Sequence, residues 1–331
     1  MALKICVVGC GNHSSMVHGP SYVRYVREYP DTVLAACCDW DAQRAETYRE
    51  KYGFRRSYTD MTRMLETEKP DAVCVIVPEH LVCPTSIAVM EMGFNILLEK
   101  PPGLCLADTE RMVRTAEKAG VINQVAFNRR YLPLYSRLKE LVAQHGKDSV
   151  QGLFYEFYRC HRTEPSFETT AIHGIDAARH IIGCDYQEVR FAYQPLENIG
   201  HNVVNILMDC VFENGVYGRI NFCPCTGLTV ERICVNAADQ SFLVNTPIWD
   251  GFDTPGELLH VVQGKTVRQI SGLEVCESQE MYETNGFCDE NRAFFEDVRA
   301  GRKCENDIRS TLQPVALAEE IKKRSVYWKK S

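Results

Sequence analysis

The sequence predicts an α/β protein in two parts: a doubly wound parallel sheet, then an α+β part on an open, mostly antiparallel sheet. Three observations carry that prediction. From residue 3 to about 125, short apolar runs alternate with amphipathic stretches of helical length. A glycine-rich turn within VVGCGNHSSMVHGP (7–20) follows the first of those runs. After about residue 130, closely spaced strand candidates separated by turn signals replace the alternation. At 331 residues the chain exceeds the usual single-domain size, so two domains are expected, 1–127 and 128–331.

Taken in order, LKICVVG, TVLAACCD, AVCVIV, FNILLE and INQVAF read as buried parallel strands, nearly all apolar and rich in β-branched residues. Segments 41–52, 60–67, 80–92 and 106–119 carry helical spacing between them. Strands alternating with helices of this length form right-handed βαβ units. A helix is expected at about 132–144, then the alternating strand QGLFYEFYRC and a helix through IHGIDAARHIIG. EVRFAYQ, NVVNILMDCVF, VYGRINFC, TVERICVNA, SFLVN, ELLHVVQ and TVRQIS follow as strands. Asn214-Gly215 between two of them is a strong hairpin signal. Helices at about 286–300 and 309–326 close the chain, and the C-terminal helix is able to pack back on the first domain.

Composition narrows the function classes. Hydrophobic residues make up 45% and charged residues 24%, the balance of a folded globular chain. A net charge of −7 argues against nucleic acid as the main partner, because phosphate binding needs a surplus of Lys and Arg. The basic tail KKRSVYWKKS reads as a solvated helix end. No apolar run approaches the ~20 residues that span a bilayer, and MALKICVV is too short for a signal peptide, so a cytoplasmic protein is expected. Sixteen scattered cysteines without a C-x-x-C pair read as reduced thiols acting as small hydrophobes.

Gly9-Cys10-Gly11-Asn12-His13-Ser14 fits G-x-G-x-x-G with serine in the third place. The first glycine permits the tight turn, the second lets backbone approach a pyrophosphate, and the third position needs a small residue. The second strand ends in Asp39, where a carboxylate would accept hydrogen bonds from the adenosine ribose. That charge repels a 2′-phosphate, so NAD is favoured over NADP; Arg44, at helical spacing, is expected to face solvent. The turn therefore reads as the dinucleotide site of a Rossmann domain. His13 and His18 are not expected to bind metal, since no nearby carboxylate or cysteine set completes a site.

Glu99-Lys100-Pro101 ends the fifth strand, and FNRRY (127–131) and HGID (173–176) come later. With the closing FFEDVRAGRKCENDIRSTLQPVALAEEI, this order resembles the Gfo/Idh/MocA oxidoreductases, the glucose-fructose oxidoreductase and inositol dehydrogenase family, over nearly the whole chain. The resemblance implies a Rossmann domain at 1–127 and a substrate-binding and oligomerisation domain at 128–331. It also implies NAD(P)-dependent hydride transfer between the nicotinamide and a secondary alcohol of a sugar, polyol or glycoside. A small carbohydrate or polyol is then the substrate. The open second sheet should leave one apolar face without helices, so copies of the chain are expected to pair through it as a dimer or tetramer.

The resemblance places Lys100 beside the reacting hydroxyl, with His173 as proton acceptor and Asp176 as the carboxylate three residues on. The chemistry agrees, since removing a hydride requires removing the hydroxyl proton and histidine titrates where a reversible base is needed. A lysine cation stabilises the developing oxyanion. Gly9, Gly11, Asn12, His13, Ser14, Asp39, Pro78, Glu99 and Lys100 are the expected dinucleotide residues. Asn128, Arg129, Tyr131, Tyr158 and His161, with Arg162, border the expected substrate cleft beside Lys100 and His173. The resemblance also implies a cis Lys100–Pro101 bond. Three departures stand out: Ser14 ends the turn motif, Pro78-Glu79-His80 replaces P-N-x-x-H, and Thr169 with Glu168 stands where an aspartate usually precedes the histidine. Two other functions fit the same residues: glycoside cleavage through transient oxidation and elimination, and a non-catalytic NAD- or sugar-sensing regulator.

Overall fold

The computed structural model describes residues 2–330 apart from 145, 147, 148, 165 and 277. The chain forms two compact units, one of residues 1–128 and 287–315, the other of 129–286 and 316–331. The segment 287–315, which the sequence reading groups with 128–331, thus belongs to the first unit.

In the first unit, β1 (Lys4–Val8), β2 (Val33–Cys38), β3 (Arg56–Tyr58), β4 (Ala72–Val75), β5 (Asn95–Glu99) and β6 (Asn123–Ala126) build one sheet. Its order is β3-β2-β1-β4-β5-β6, with every pairing parallel. The order reverses between β1 and β4, and the carboxyl ends at such a switch point are where doubly wound sheets bind ligands. The connecting helices are α1 (Gly19–Glu28), α2 (Ala42–Tyr52), α3 (Met61–Glu68), α4 (Glu79–Glu91) and α5 (Leu106–Ala119). A five-residue π-turn, Ser14–His18, precedes α1. Strand interiors such as Ile5, Val7, Cys74 and Leu97 are fully buried, as apolar runs between two helical layers require. Neither β3 nor α1 is among the expected elements.

The second unit opens with α6 (Pro133–Gln144), β7 (Val150–Tyr158) and α7 (Glu168–Ile182). Then follow β8 (Tyr186–Pro195), β9 (Val204–Phe212), β10 (Tyr217–Cys223), β11 (Val230–Ala237), β12 (Gln240–Thr246), β13 (Glu257–Val262) and β14 (Lys265–Ser271). Two single-turn helices, α8 (Gly272–Val275) and α9 (Met281–Thr284), come next. After them, α10 (Phe287–Ala300) lies in the first unit, α11 (Leu312–Lys322) crosses the division at residue 315, and β15 (Tyr327–Lys329) ends the second. The nine strands run β14-β13-β12-β11-β7-β10-β9-β8-β15, antiparallel except where β7 meets β10. Asn214-Gly215 sits in the β9–β10 hairpin, with Gly215 at φ +83°. The basic tail is not a helix end: Tyr327–Lys329 pairs with β8.

One sheet face carries the core, with Tyr155, Phe157, Met208, Phe222, Ile233 and Phe242 packed under α6 and α7. Gly174 lets α7 approach closely, since a Cβ there would stand 2.7 Å from the Phe222 ring. The other face leaves Phe154, Leu207, Val211, Tyr217 and Leu243 between 36% and 42% exposed. All sixteen cysteines are free, nine of them buried. Among the described residues no helix is long and apolar enough to cross a membrane.

Candidate active site

The glycine turn is built for close backbone approach. Gly9 has φ +100°, and a Cβ there would stand 2.0 Å from the Ile76 carbonyl oxygen, so no other residue fits. A Cβ on Gly11 would meet no atom within 4 Å, so its surface is open to a ligand. Ser14 is fully buried and donates its hydroxyl to Tyr48 at 2.9 Å, which explains how serine serves in the third position. Asn12 is exposed and His13 half-buried.

Asp39 is tied directly into this turn. Its Oδ2 accepts the Cys10 N–H at 2.9 Å, and its Oδ1 accepts the Asp41 N–H at 3.0 Å. Asp41 in turn caps α2, accepting the N–H groups of Gln43 and Arg44. The carboxylate is thereby fixed at the end of β2. Arg44 does not simply face solvent as expected: its Nη1 lies 3.4 Å from Asp39 Oδ1, and its guanidinium sits 5.4 Å from the Trp40 ring centroid.

Glu99 joins His13 and His18, and this corrects the expectation that no carboxylate completes a set. Glu99 Oε1 lies 3.1 Å from His13 Nε2 and 2.8 Å from His18 Nε2. The three donor atoms fall within 4.8 Å of one another. Hydrogen bonds account for the contacts: each imidazole Nε2–H donates to one carboxylate oxygen, and Asn291 on α10 meets His18 Nδ1 at 3.1 Å. Burial pushes the Glu99 carboxyl up, but the two histidines outweigh it and hold the group well below the usual carboxylate range. Its second oxygen, Oε2, accepts the Lys100 N–H at 3.1 Å. Glu99 therefore anchors the backbone of Lys100, whose bond to Pro101 is cis. Pro78 is exposed at the residue before α4.

In the second unit His173 lies on α7, 8% exposed, and Asp176 one turn on is fully buried. Asp176, the carboxylate three residues on from the histidine, is paired with a cation. Arg130 takes both its oxygens, Nε at 2.7 Å and Nη2 at 2.5 Å, a bidentate pair. Thr169 donates its hydroxyl to the Ser166 carbonyl at 2.9 Å, closing the start of α7. Glu168 is buried in the same turn.

Arg129 is likewise corrected. It is 4% exposed and donates to Glu231 at 2.7 Å, within a buried set that also includes Arg159 and Tyr155. Burial raises the Glu231 carboxyl, but the Arg129 and Arg159 cations reverse that and bring it to about 2. Within this set the two guanidinium groups and the Tyr155 hydroxyl all donate to the one Glu231 carboxylate. Asn128 is buried, Tyr131 and Tyr158 are half-buried, and His161 is exposed at φ +52°. Arg162 donates to Thr170 Oγ1 at 2.8 Å, beside the start of α7.

Residues 3–127 match the family model described as an oxidoreductase family with an NAD-binding Rossmann fold. Myo-inositol 2-dehydrogenase of Thermotoga maritima is 29% identical over 197 residues, covering 56% of this chain and 57% of that protein. D-glucoside 3-dehydrogenase of Escherichia coli is 29% identical over 140 residues, 42% of this chain and 39% of the relative. The aligned stretch thus spans about half the length of these curated relatives. In fold the chain is similar to a probable dehydrogenase of Thermotoga maritima, at TM-score 0.80 and 23% identity over 99% of this chain and 98% of the other.

Proposed function

We propose that the chain, whose residues 3–127 match the NAD-binding oxidoreductase family model, is a Gfo/Idh/MocA oxidoreductase that moves a hydride between NAD and a secondary alcohol of a sugar, polyol or glycoside. The observation that carries the reading is the Asp39 carboxylate, bonded at 2.9 Å into a turn whose Gly11 lies open. A pyrophosphate needs that open backbone, and the ribose hydroxyls need that acceptor. Two relatives whose names specify inositol and a glucoside support the hydroxyl-rich substrate class.

Bound in this turn, the dinucleotide supplies the two-electron acceptor for the hydride. The chain supplies the rest. Lys100, its backbone held by Glu99, presents a cation to the substrate oxygen as negative charge develops there. His173 accepts the hydroxyl proton at imidazole nitrogen, leaving a carbonyl on the substrate. Asp176 is held in place by Arg130, which donates to both its oxygens. A cytoplasmic location belongs to the same reading, since sixteen free thiols suit a reducing compartment.

The test is a panel of sugars, inositols and glycosides with NAD, followed by absorbance of the reduced cofactor. NADH accumulation in step with carbonyl product is expected. Cofactor binding with no turnover on any panel member, by absorbance or by product analysis, would overturn the enzymatic reading in favour of a sensor.

A further inference from the structure

Trp40 is the most exposed of the large hydrophobic side chains described, at 81%. The other two tryptophans, Trp249 and Trp328, pack against the core of the second unit. A tryptophan gains most when its rings are covered, so one left in water at a strand end needs a reason. Single exposed hydrophobic residues are common and need none by themselves. Three features set this one apart.

First, it directly follows Asp39, and the Asp39 carboxylate is bonded to Cys10 on one side and Asp41 on the other. The backbone on both sides of Trp40 is therefore fixed by hydrogen bonds, next to the residue that ties β2 to the turn. Second, Arg44 stacks its guanidinium 5.4 Å from the ring centroid while reaching Asp39 Oδ1 at 3.4 Å. The indole thus has a cation beside it, while its high exposure leaves the rest of the ring open. Third, a concave surface begins two residues further along the chain: an open cleft of about 370 Å³ runs between α2 and the end of β3, with Ala42, Thr59 and Asp60 in its wall.

We propose that Trp40 is the stacking platform for the adenine ring of the dinucleotide, with Arg44 as its buttress. The inference rests on the dinucleotide reading of the glycine turn and adds to it the residue that holds the base. A purine has a flat apolar face and few groups that demand hydrogen bonds, so an indole is well suited to hold it. Arg44 polarises the indole and stops it from rotating into solvent, which lowers the entropy lost on stacking. The platform grips the adenosine half and does not touch the nicotinamide half.

The test measures three probes by calorimetric titration: NADH, ADP-ribose, and reduced nicotinamide mononucleotide, which lacks adenosine. Trp40→Ala should weaken NADH and ADP-ribose by a common factor of about 5 to 150, the range for losing one base–aromatic stack. The mononucleotide should bind Trp40→Ala and the wild type alike. Trp40→Phe should restore most of the lost affinity, and its thermal midpoint should match the wild type because the side chain buries almost nothing. Adding ADP-ribose should change the wild-type indole fluorescence and leave that of Trp40→Phe unchanged. Wild-type affinity of Trp40→Ala for ADP-ribose would overturn the platform while leaving the dinucleotide reading intact, as would an equal loss for all three probes. Failure of the wild type to bind NADH at all would overturn both.

Discussion

Replacing Asp39 with asparagine changes one charge and almost no volume, so it isolates what that charge does to cofactor choice. In the wild type a 2′-phosphate would sit against a carboxylate whose side chain is 5% exposed. Two unit charges 4 Å apart repel by about 4 kcal/mol at an effective dielectric of 20, and by about 1 kcal/mol in bulk water. The Arg44 cation, 3.4 Å from the same oxygen, offsets part of this. A net preference for NADH over NADPH of about 2 kcal/mol, or roughly 30-fold, is expected.

Asp39→Asn removes the repulsion and replaces a charge-assisted hydrogen bond to the ribose with a neutral one. The latter change costs about 1 kcal/mol in NADH affinity, or roughly fivefold. NADPH binding should improve at the same time, bringing the two within about threefold of each other. The amide keeps one acceptor oxygen for the Cys10 or the Asp41 N–H and loses the other, so a small drop in thermal midpoint is also expected. Fluorescence titration of NADH and NADPH at fixed salt reads all of this. Tighter NADPH than NADH binding by the wild type, or an unchanged ratio in Asp39→Asn, would refute the reasoning.

Lys100→Ala and His173→Ala should each lower turnover by about 10²- to 10⁴-fold while NADH affinity stays near wild type, read by steady-state kinetics beside the same titrations; near-normal turnover of His173→Ala would make that histidine structural. The Glu231 carboxyl is held at about 2, below its ordinary 4.5, so its stabilising contribution is present above pH 4.5 and is lost as pH falls toward 2. Glu231→Gln should flatten that acid limb in pH-dependent denaturant melts and lower stability at pH 7 by about 3–5 kcal/mol, because two arginines are left buried without their counter-charge. The outer face of the second sheet, with Phe154, Leu207 and Leu243 partly exposed, should pair with a second copy; a monomer by light scattering at micromolar concentration would remove that proposal.

How far the sequence reveals the fold depends on whether a signal is local. The buried strands of the first sheet are legible because each is a short apolar run, and Asn214-Gly215 marks its hairpin within two residues. β3 escapes because it is three residues long and sits half-exposed at the sheet edge. α1 escapes because it starts at Gly19-Pro20, residues that read as a turn, and follows a π-turn that shifts its register. Tyr327–Lys329 escapes because flanking lysines and arginine mask two aromatic residues. In the site, the glycine turn and Asp39 are legible from spacing alone. The Glu99 pairing with His13 and His18 bridges 86 and 81 residues and leaves no mark in the sequence. Glu231 leaves only a faint one, since it breaks the alternation of β11 by being buried next to Val230.

Asp39 and Asp176 show why residue type alone misassigns roles. Both are acidic, both are buried, and the sequence reading gives both a place in the site. The difference lies in the cation that reaches each one. Arg44 approaches Asp39 through a single 3.4 Å contact, and its own side chain is 41% exposed. That contact is weak enough for a ribose hydroxyl to compete for the same oxygen. Arg130 meets Asp176 in a bidentate pair, with the arginine side chain 4% exposed and the aspartate fully buried. Removing that carboxylate would strand a buried guanidinium, at a cost of about 3–5 kcal/mol. Arg130 adjoins Arg129, which the sequence marks as a ligand contact, and the two side chains instead neutralise Asp176 and Glu231. Both arginines within FNRRY therefore pair with buried carboxylates inside the second unit.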